Sequence, residues 1–118
     1  MTTATKDWAR EYLAAWDTFN VDNVLAWMTD DIDYVDTTLK HGAVGKEKMA
    51  KFIQASFTNV PDCKMEYVRG SSDGDTFWFE WIMHPMGVPG ISAGRLRDGK
   101  ICFVRDYWNG ALYKVPNT

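Results

Sequence analysis

The sequence predicts an α+β fold, with helices packed on a mainly antiparallel sheet, and three observations carry that reading. Apolar residues recur at helical spacing through the first half of the chain. Past Pro61 they alternate at strand spacing between turn signals. The 118 residues, 46% hydrophobic and 25% charged, suit one globular domain with its own core, so residues 1–118 read as a single domain. Helices segregated from consecutive hairpin strands indicate α+β architecture.

Residues 5–19 read as the first helix, with Trp8, Tyr12, Ala15, Trp16 and Phe19 in one stripe and Thr5 as N-cap. Asn20 can cap a second helix over 21–28 that carries Val21, Val24, Leu25 and Met28 and is broken by Thr29, Asp30 and Asp31. Ile32 to Thr37 alternates as a strand, with Ile32, Tyr34 and Asp36 on one face. His41 and Gly42 read as loop. Gly45 precedes a third helix, about 46–58, whose inner stripe is Met49, Phe52, Ile53, Ser56 and Phe57. Lys64 to Arg69 is a strand with Met65 and Tyr67 on one face, and GSSDGD (70–75) is a turn signal. Thr76 to His84 is a long strand and 86–90 a loop. Ile91 to Arg97 and Lys100 to Trp108 pair about Asp98-Gly99, a favoured tight-hairpin dipeptide.

Charge and motif content exclude several functions. Lys and Arg number 13 against 16 Asp and Glu, a net charge of −3, which argues against a nucleic-acid partner. The stretch KEKMAK (46–51) reads as a solvated helix face. Cys63 and Cys102 lie in no CxxC or Cys/His cluster and read as reduced thiols of a cytoplasmic protein. No apolar run approaches a membrane span, and the N-terminus carries no apolar leader, so no membrane partner is expected. Neither a glycine-rich phosphate loop nor a His–carboxylate spacing for a metal is present, so no cofactor and no metal are expected. His41 reads as solvated and His84 as a strand-end rim residue.

Six Trp residues point to a bulky core, an aromatic pocket or a subunit interface. In TFWFEWIMH, Phe77, Phe79, Trp81 and Met83 point one way and Trp78, Glu80, Ile82 and His84 the other. In the last strand, Ile101, Phe103 and Tyr107 share one face, and Cys102, Val104, Asp106 and Trp108 the other. Both faces of the sheet are largely apolar. Helices can cover one of them, and a second copy of the chain is the simplest cover for the other, giving a homodimer.

Three segments, in order, resemble the nuclear transport factor 2-like superfamily, which includes ketosteroid isomerases, limonene epoxide hydrolases and SnoaL-like polyketide cyclases. They are Tyr12 to Asp36, ending NVDNVLAWMTDDIDYVD, then GAVGKEKMAKF (42–52) and GRLRDGKICFVRDYWN (94–109). The resemblance implies a cone-shaped α+β barrel around a deep pocket, and dimerisation through the convex sheet face. It further implies that Trp78, Glu80, Ile82, Val104, Asp106 and Trp108 look into the pocket and that Phe77, Phe79, Trp81, Ile101 and Phe103 look outward. Asp36 falls where ketosteroid isomerases hold a general base, and Tyr12 where they hold an oxyanion donor. Their second oxyanion donor is replaced by Ser92. Tyr34 and Asp106 resemble the water-binding tyrosine and the base of limonene epoxide hydrolases, whose further triad residues are here Glu80 and Ile82.

The candidate catalytic residues are therefore Asp106, Asp36, Tyr34 and Tyr12, and the candidate pocket residues Trp16, Trp78, Glu80, Ile82, His84, Val104 and Trp108. Carboxyls crowded in an apolar pocket favour proton transfer near neutral pH, suiting isomerisation, cyclisation or hydrolysis of a small hydrophobic molecule. Glu80 reads equally as a structural partner of Arg95 or Arg105. Three functions stay open: a cofactor-independent acid/base enzyme, a non-catalytic dimeric module that binds a hydrophobic ligand, and a structural dimer whose cavity is vestigial; the set Tyr12, Tyr34, Asp36, Glu80 and Asp106 favours the first.

Overall fold

The computed structural model describes residues 5–116. Helix α1 (Thr5–Asp17) leads to α2 (Val21–Leu25), then to strands β1 (Met28–Asp36) and β2 (His41–Val44), helix α3 (Lys46–Asn59), and strands β3 (Lys64–Asp73), β4 (Thr76–His84), β5 (Val88–Arg97) and β6 (Lys100–Trp108). One unclosed six-stranded sheet runs β2-β1-β6-β5-β4-β3. β1 and β6 pair in parallel, and every other neighbouring pair is antiparallel. The three helices lie on the concave side, giving the cone-shaped α+β fold. None of the described helices is long and apolar enough to cross a membrane.

Local chemistry accounts for most boundaries. Asn20 caps α2 by accepting the Asn23 N–H at 3.2 Å. The capping role expected of Thr5 rests on a side chain outside the described ones. α2 ends earlier than the sequence suggested, because the Trp27 carbonyl accepts the Ile101 N–H at 2.8 Å and β1 starts at once. Thr29 to Asp31 are thus strand residues, not a break. His41 and Gly42 also belong to a strand, paired with Asp36 and Val35. The turn between β3 and β4 shrinks to Gly74-Asp75, since Ser71 and Ser72 pair with Trp78 and Phe77. Asp98 (φ 52°) and Gly99 (φ 79°) both adopt left-handed backbone, the requirement of a type I′ hairpin.

Cross-strand partners share a face, so the register defines rows across the sheet. Asp36, Asp106, Ser92 and Phe79 form one such row, and Trp108, Gly90 and Trp81 another. These rows reverse the β4 faces implied by the resemblance. Phe77, Phe79 and Trp81 are buried on the helix side, whereas Trp78 is 38% exposed on the convex side. The physical reason is packing against α1, where Trp8 meets Phe77 edge-on at 5.0 Å and Tyr12 meets Phe79 at 6.1 Å. Ile101 is also buried rather than outward, because the β5–β6 register slips between Arg95 and Leu96 and leaves Cys102 as a bulge. Phe103 does point outward, with the Arg105 guanidinium 4.0 Å from its ring centre.

Gly90 is where this packing is least forgiving. A Cβ there would lie 2.2 Å from the six-membered ring of Trp81, a ring enclosed in the core. Gly90→Ala is expected to lower stability by about 1–3 kcal/mol, the usual range for overpacking, read as a lower urea midpoint with an unchanged m-value.

Candidate functional site

A cavity of about 580 Å³ opens between the concave face of the sheet, α1 and α3, a size that suits a small-molecule ligand. α1 contributes Tyr12 and Trp16, β1 contributes Tyr34 and Asp36, and β6 contributes Asp106 and Trp108. The alternation of β1 forces the pair Tyr34 and Asp36 inward together, and the parallel register sets Asp36 directly beside Asp106.

Asp106 is the most constrained group in the cavity. Its Oδ1 accepts the Ser92 hydroxyl at 2.6 Å, and its Oδ2 accepts the Tyr34 hydroxyl. The indole Nε1 of Trp81 donates to Ser92 Oγ at 2.9 Å, so the Ser92 proton is directed at the carboxyl. Burial raises the Asp106 pKa from 3.8 to about 7; the Ser92 and Tyr34 hydrogen bonds oppose the shift and the Asp36 charge adds to it. Asp36 has different surroundings. It accepts the Leu39 N–H at 2.9 Å and the Trp108 indole N–H at 3.0 Å to Oδ2. Burial pushes its pKa up too, against those donors. Burial also raises both phenols, with the Asp106 charge next in importance. Trp16 is within hydrogen-bonding reach of the Tyr12 hydroxyl and opposes that phenol's shift. The Tyr12 proton has no acceptor among the described residues.

The residues expected from sequence separate into two groups. Tyr12, Tyr34, Asp36, Asp106, Trp16 and Trp108 come together on the cavity wall. Val104 is buried behind that wall in the core. Trp78, Glu80, Ile82 and His84 lie on the other face of the sheet, away from the cavity, because β4 turns its aromatic side inward. Glu80 pairs there with Arg69 at 2.8 Å rather than with Arg95 or Arg105, and His84 with Glu66 at 2.7 Å. Arg69 also lies over the Trp78 ring.

Several wall residues escaped the sequence reading. Trp81, Met83 and Met65 line the cavity, as does His41, expected in a solvated loop. A signal for Trp81 existed. The face carrying Phe77, Phe79 and Trp81 holds no charge, whereas the opposite face holds Glu80 and His84, so burial favours the first. Among the described residues no group of three or more His, Cys, Asp or Glu side chains is arranged to hold a metal ion.

The SnoaL-like domain family model matches residues 9–104. The chain belongs to the SnoaL-like domain family. Its fold is similar to that of a SnoaL-like protein of unknown function from Burkholderia thailandensis, at 15% identity and a TM-score of 0.80, covering 90% of this chain and 95% of that one. A Catenulispora acidiphila protein with a ketosteroid isomerase-like fold, solved with trimethylamine, is similar at 20% identity and a TM-score of 0.80, covering 91% and 88%. A nuclear transport factor 2-like protein of unknown function from Cytophaga hutchinsonii is similar at 15% identity and a TM-score of 0.69, covering 94% and 95%. No curated protein matches the sequence significantly. At these identities the likeness concerns the fold, and activity has to be argued from the site.

The buried acid has a consequence for stability. An acid with a raised pKa in the folded state keeps its proton where the unfolded chain has lost it. Asp106 therefore withdraws stability as pH climbs from the unfolded value near 4 to the folded value of about 7. Urea unfolding is expected to show stability falling by a few kcal/mol between pH 4 and 8 in the native chain. Most of that fall should vanish in Asp106→Asn, and an equal fall in both proteins would contradict the assignment.

Proposed function

We propose that this SnoaL-like domain is a cofactor-independent enzyme that moves a proton on a small, largely apolar substrate, with Asp106 as the proton-transfer residue. One observation carries the reading: a carboxyl enclosed in an apolar cavity, both oxygens held by hydroxyl donors, its pKa brought to about 7. Such a group is ionised enough to accept a proton at neutral pH and acidic enough to return it. Asp36, held by indole and backbone N–H donors rather than hydroxyls, stays distinct from it as a neighbouring charge.

In this scheme Asp106 takes a proton from a carbon next to a carbonyl. The C–H electron pair moves into the carbonyl to form an enolate, whose oxygen takes a hydrogen bond from Tyr12. The proton then returns from Asp106 to the same carbon or, where a C=C bond is conjugated with the enolate, to the far end of the dienolate as the electron pair shifts. In a cyclisation the enolate carbon instead attacks a second carbonyl of the substrate, whose π electrons move to oxygen, and that oxygen takes the proton from Asp106. Tyr34 and Ser92 hold the carboxyl in place. The alternative is a ligand-binding module, favoured by the fact that each buried carboxyl is already satisfied by protein donors.

Deuterium exchange separates the two. In D₂O the native protein is expected to catalyse exchange of the protons next to the carbonyl of a cavity-sized cyclic enone, with a rate rising through pH 7. Asp106→Asn should lose at least about a hundredfold, and Tyr12→Phe about tenfold to a hundredfold. Exchange undiminished in Asp106→Asn would leave the binding module as the better reading.

The proposed homodimer draws support from the convex face, where Trp78, Ile91, Phe103 and Tyr107 are all at least about a third exposed. Phe77 and Trp81, expected there from the sequence, are core residues and no part of that surface. Sedimentation of the native chain is expected to give twice the monomer mass. Tyr107→Glu, at a position 51% exposed, should give monomers that keep the far-ultraviolet spectrum. A native monomer at micromolar concentration would exclude the dimer.

A further inference from the structure

The ionisable groups on the cavity wall differ in whether the protein satisfies them. Asp106 and Asp36 each accept two donors, as described. Asp17, at the end of α1, accepts the Met65 N–H at 2.9 Å. Cys63 is held as a thiol, its pKa pushed to about 11 chiefly by burial. His41 stands at the β2 edge of the opening, near enough to lower the Asp36 pKa slightly. Lys48 and Lys51 remain. Both line the cavity, both are exposed at its solvent end, and neither has an ion-pair or hydrogen-bond partner among the described residues. Lys46, Arg69, Arg97 and Arg105, by contrast, are all paired with carboxylates.

Placement makes the two ammonium groups act on one ligand. Lys48 and Lys51 are three residues apart on α3, hence neighbours on one flank. Phe52, four residues after Lys48, continues that flank into the cavity, where its ring lies 5.0 Å from that of Tyr34. Glu47, the acidic residue of the first turn of α3, forms no ion pair with either lysine. Along this wall the surface thus passes from free cations at the mouth, through aromatic side chains, to the buried acid.

We infer that the ligand is an anionic amphiphile, an apolar body ending in a carboxylate, with the carboxylate held by Lys48 and Lys51 at the mouth and the apolar end against Tyr12 and Asp106. This rests on the cavity being the ligand site of the proposed function, and names the substrate class. Attraction to the lysines holds the carboxylate at the mouth, and the apolar body fills the cavity beyond it, with repulsion from Asp106 added once that acid ionises, so charge fixes which end reaches the acid.

The test compares 2-naphthoate with neutral 2-naphthamide, using quenching of indole fluorescence at pH 6 and low salt, where Asp106 is mostly protonated. Trp16 and Trp108 on the wall report occupancy. Naphthoate is expected to bind at least about tenfold tighter, with the preference shrinking as salt is added. The exposed double substitution Lys48→Gln with Lys51→Gln should abolish the preference and leave naphthamide affinity unchanged. Equal affinities in the native protein, a preference that survives the double substitution, or binding of neither probe at millimolar concentration would each overturn the inference. Asp106→Asn keeps the preference whatever its effect on deuterium exchange. Failure of the proton-transfer reading therefore leaves this inference standing, and equal probe affinities overturn it while leaving proton transfer intact.

Discussion

Parallel pairing of β1 with β6 is the constraint from which the site follows. It joins positions about 70 residues apart in sequence, placing Tyr34 and Asp36 against Val104 and Asp106. A parallel pair needs a long crossover, and here the crossover contains β2, α3 and the β3–β5 meander, which together with α1 supply the remaining walls of the cavity. The end of the pairing is clamped twice. Thr37 donates its N–H and hydroxyl to the Asp106 carbonyl, at 2.9 and 2.7 Å. Thr38 Oγ1 donates to the Trp108 carbonyl at 2.6 Å and accepts the Trp108 N–H at 3.0 Å. Both clamps fix the backbone of the residue carrying the acid and of the indole that binds its neighbour, so the distances at the site are properties of the sheet rather than of a loop.

The choice of donors determines what Asp106 can do. A buried carboxylate left unpaired is severely destabilising, and one paired with Arg or Lys is pinned in the ionised state. Ser92 and Tyr34 satisfy both oxygens while carrying no charge. The group is therefore solvated by the protein without being locked to one protonation state. Tyr34 remains a donor because burial and the adjacent acid hold its own proton firmly. Trp81 extends the same logic outward: its indole N–H can only donate, so Ser92 is left to donate onward. A side chain that fills the core thus also directs a proton toward the site.

Much of this was legible before the structure, and the reasons are local. Period-two alternation in Ile32, Tyr34 and Asp36 is forced by the geometry of an extended chain, and all three are buried as expected. Asp98-Gly99 is a turn whose chemistry leaves few alternatives. The faces of β4 were not legible from alternation alone, since both carry large apolar residues; the charge on one face favours burying the other, and the register through Ser92 fixes it. Cys102 carries no mark of a bulge, yet its bulge moves Ile101 to the inner face. β2 is four residues long and exists because β1 offers it an edge, a tertiary cause that no local pattern records. Ser92 stood out only as a departure from a relative's pattern, while its role depends on Asp106 and Trp81, both more than ten positions away in sequence.

The distribution of charge between the two sides of the sheet ties these features together. The ion pairs of Arg69 with Glu80, Arg97 with Asp31 and Arg105 with Asp33 involve side chains exposed to varying degrees, where a carboxylate can be paired with little desolvation and contributes little to stability. Inside the cavity the donors to Asp36 and Asp106 are hydroxyl, indole and backbone N–H groups, and no arginine takes part. As the pH rises past the Asp106 pKa, the interior gains negative charge, and the lysines of α3 at the mouth oppose it. Low dielectric and excluded water lengthen the reach of that opposition. On the proposed reading, a bound molecule would meet a field that runs along the cavity, negative at the buried acids and positive at the α3 lysines, and that field would set its orientation before any hydrogen bond to the acid forms.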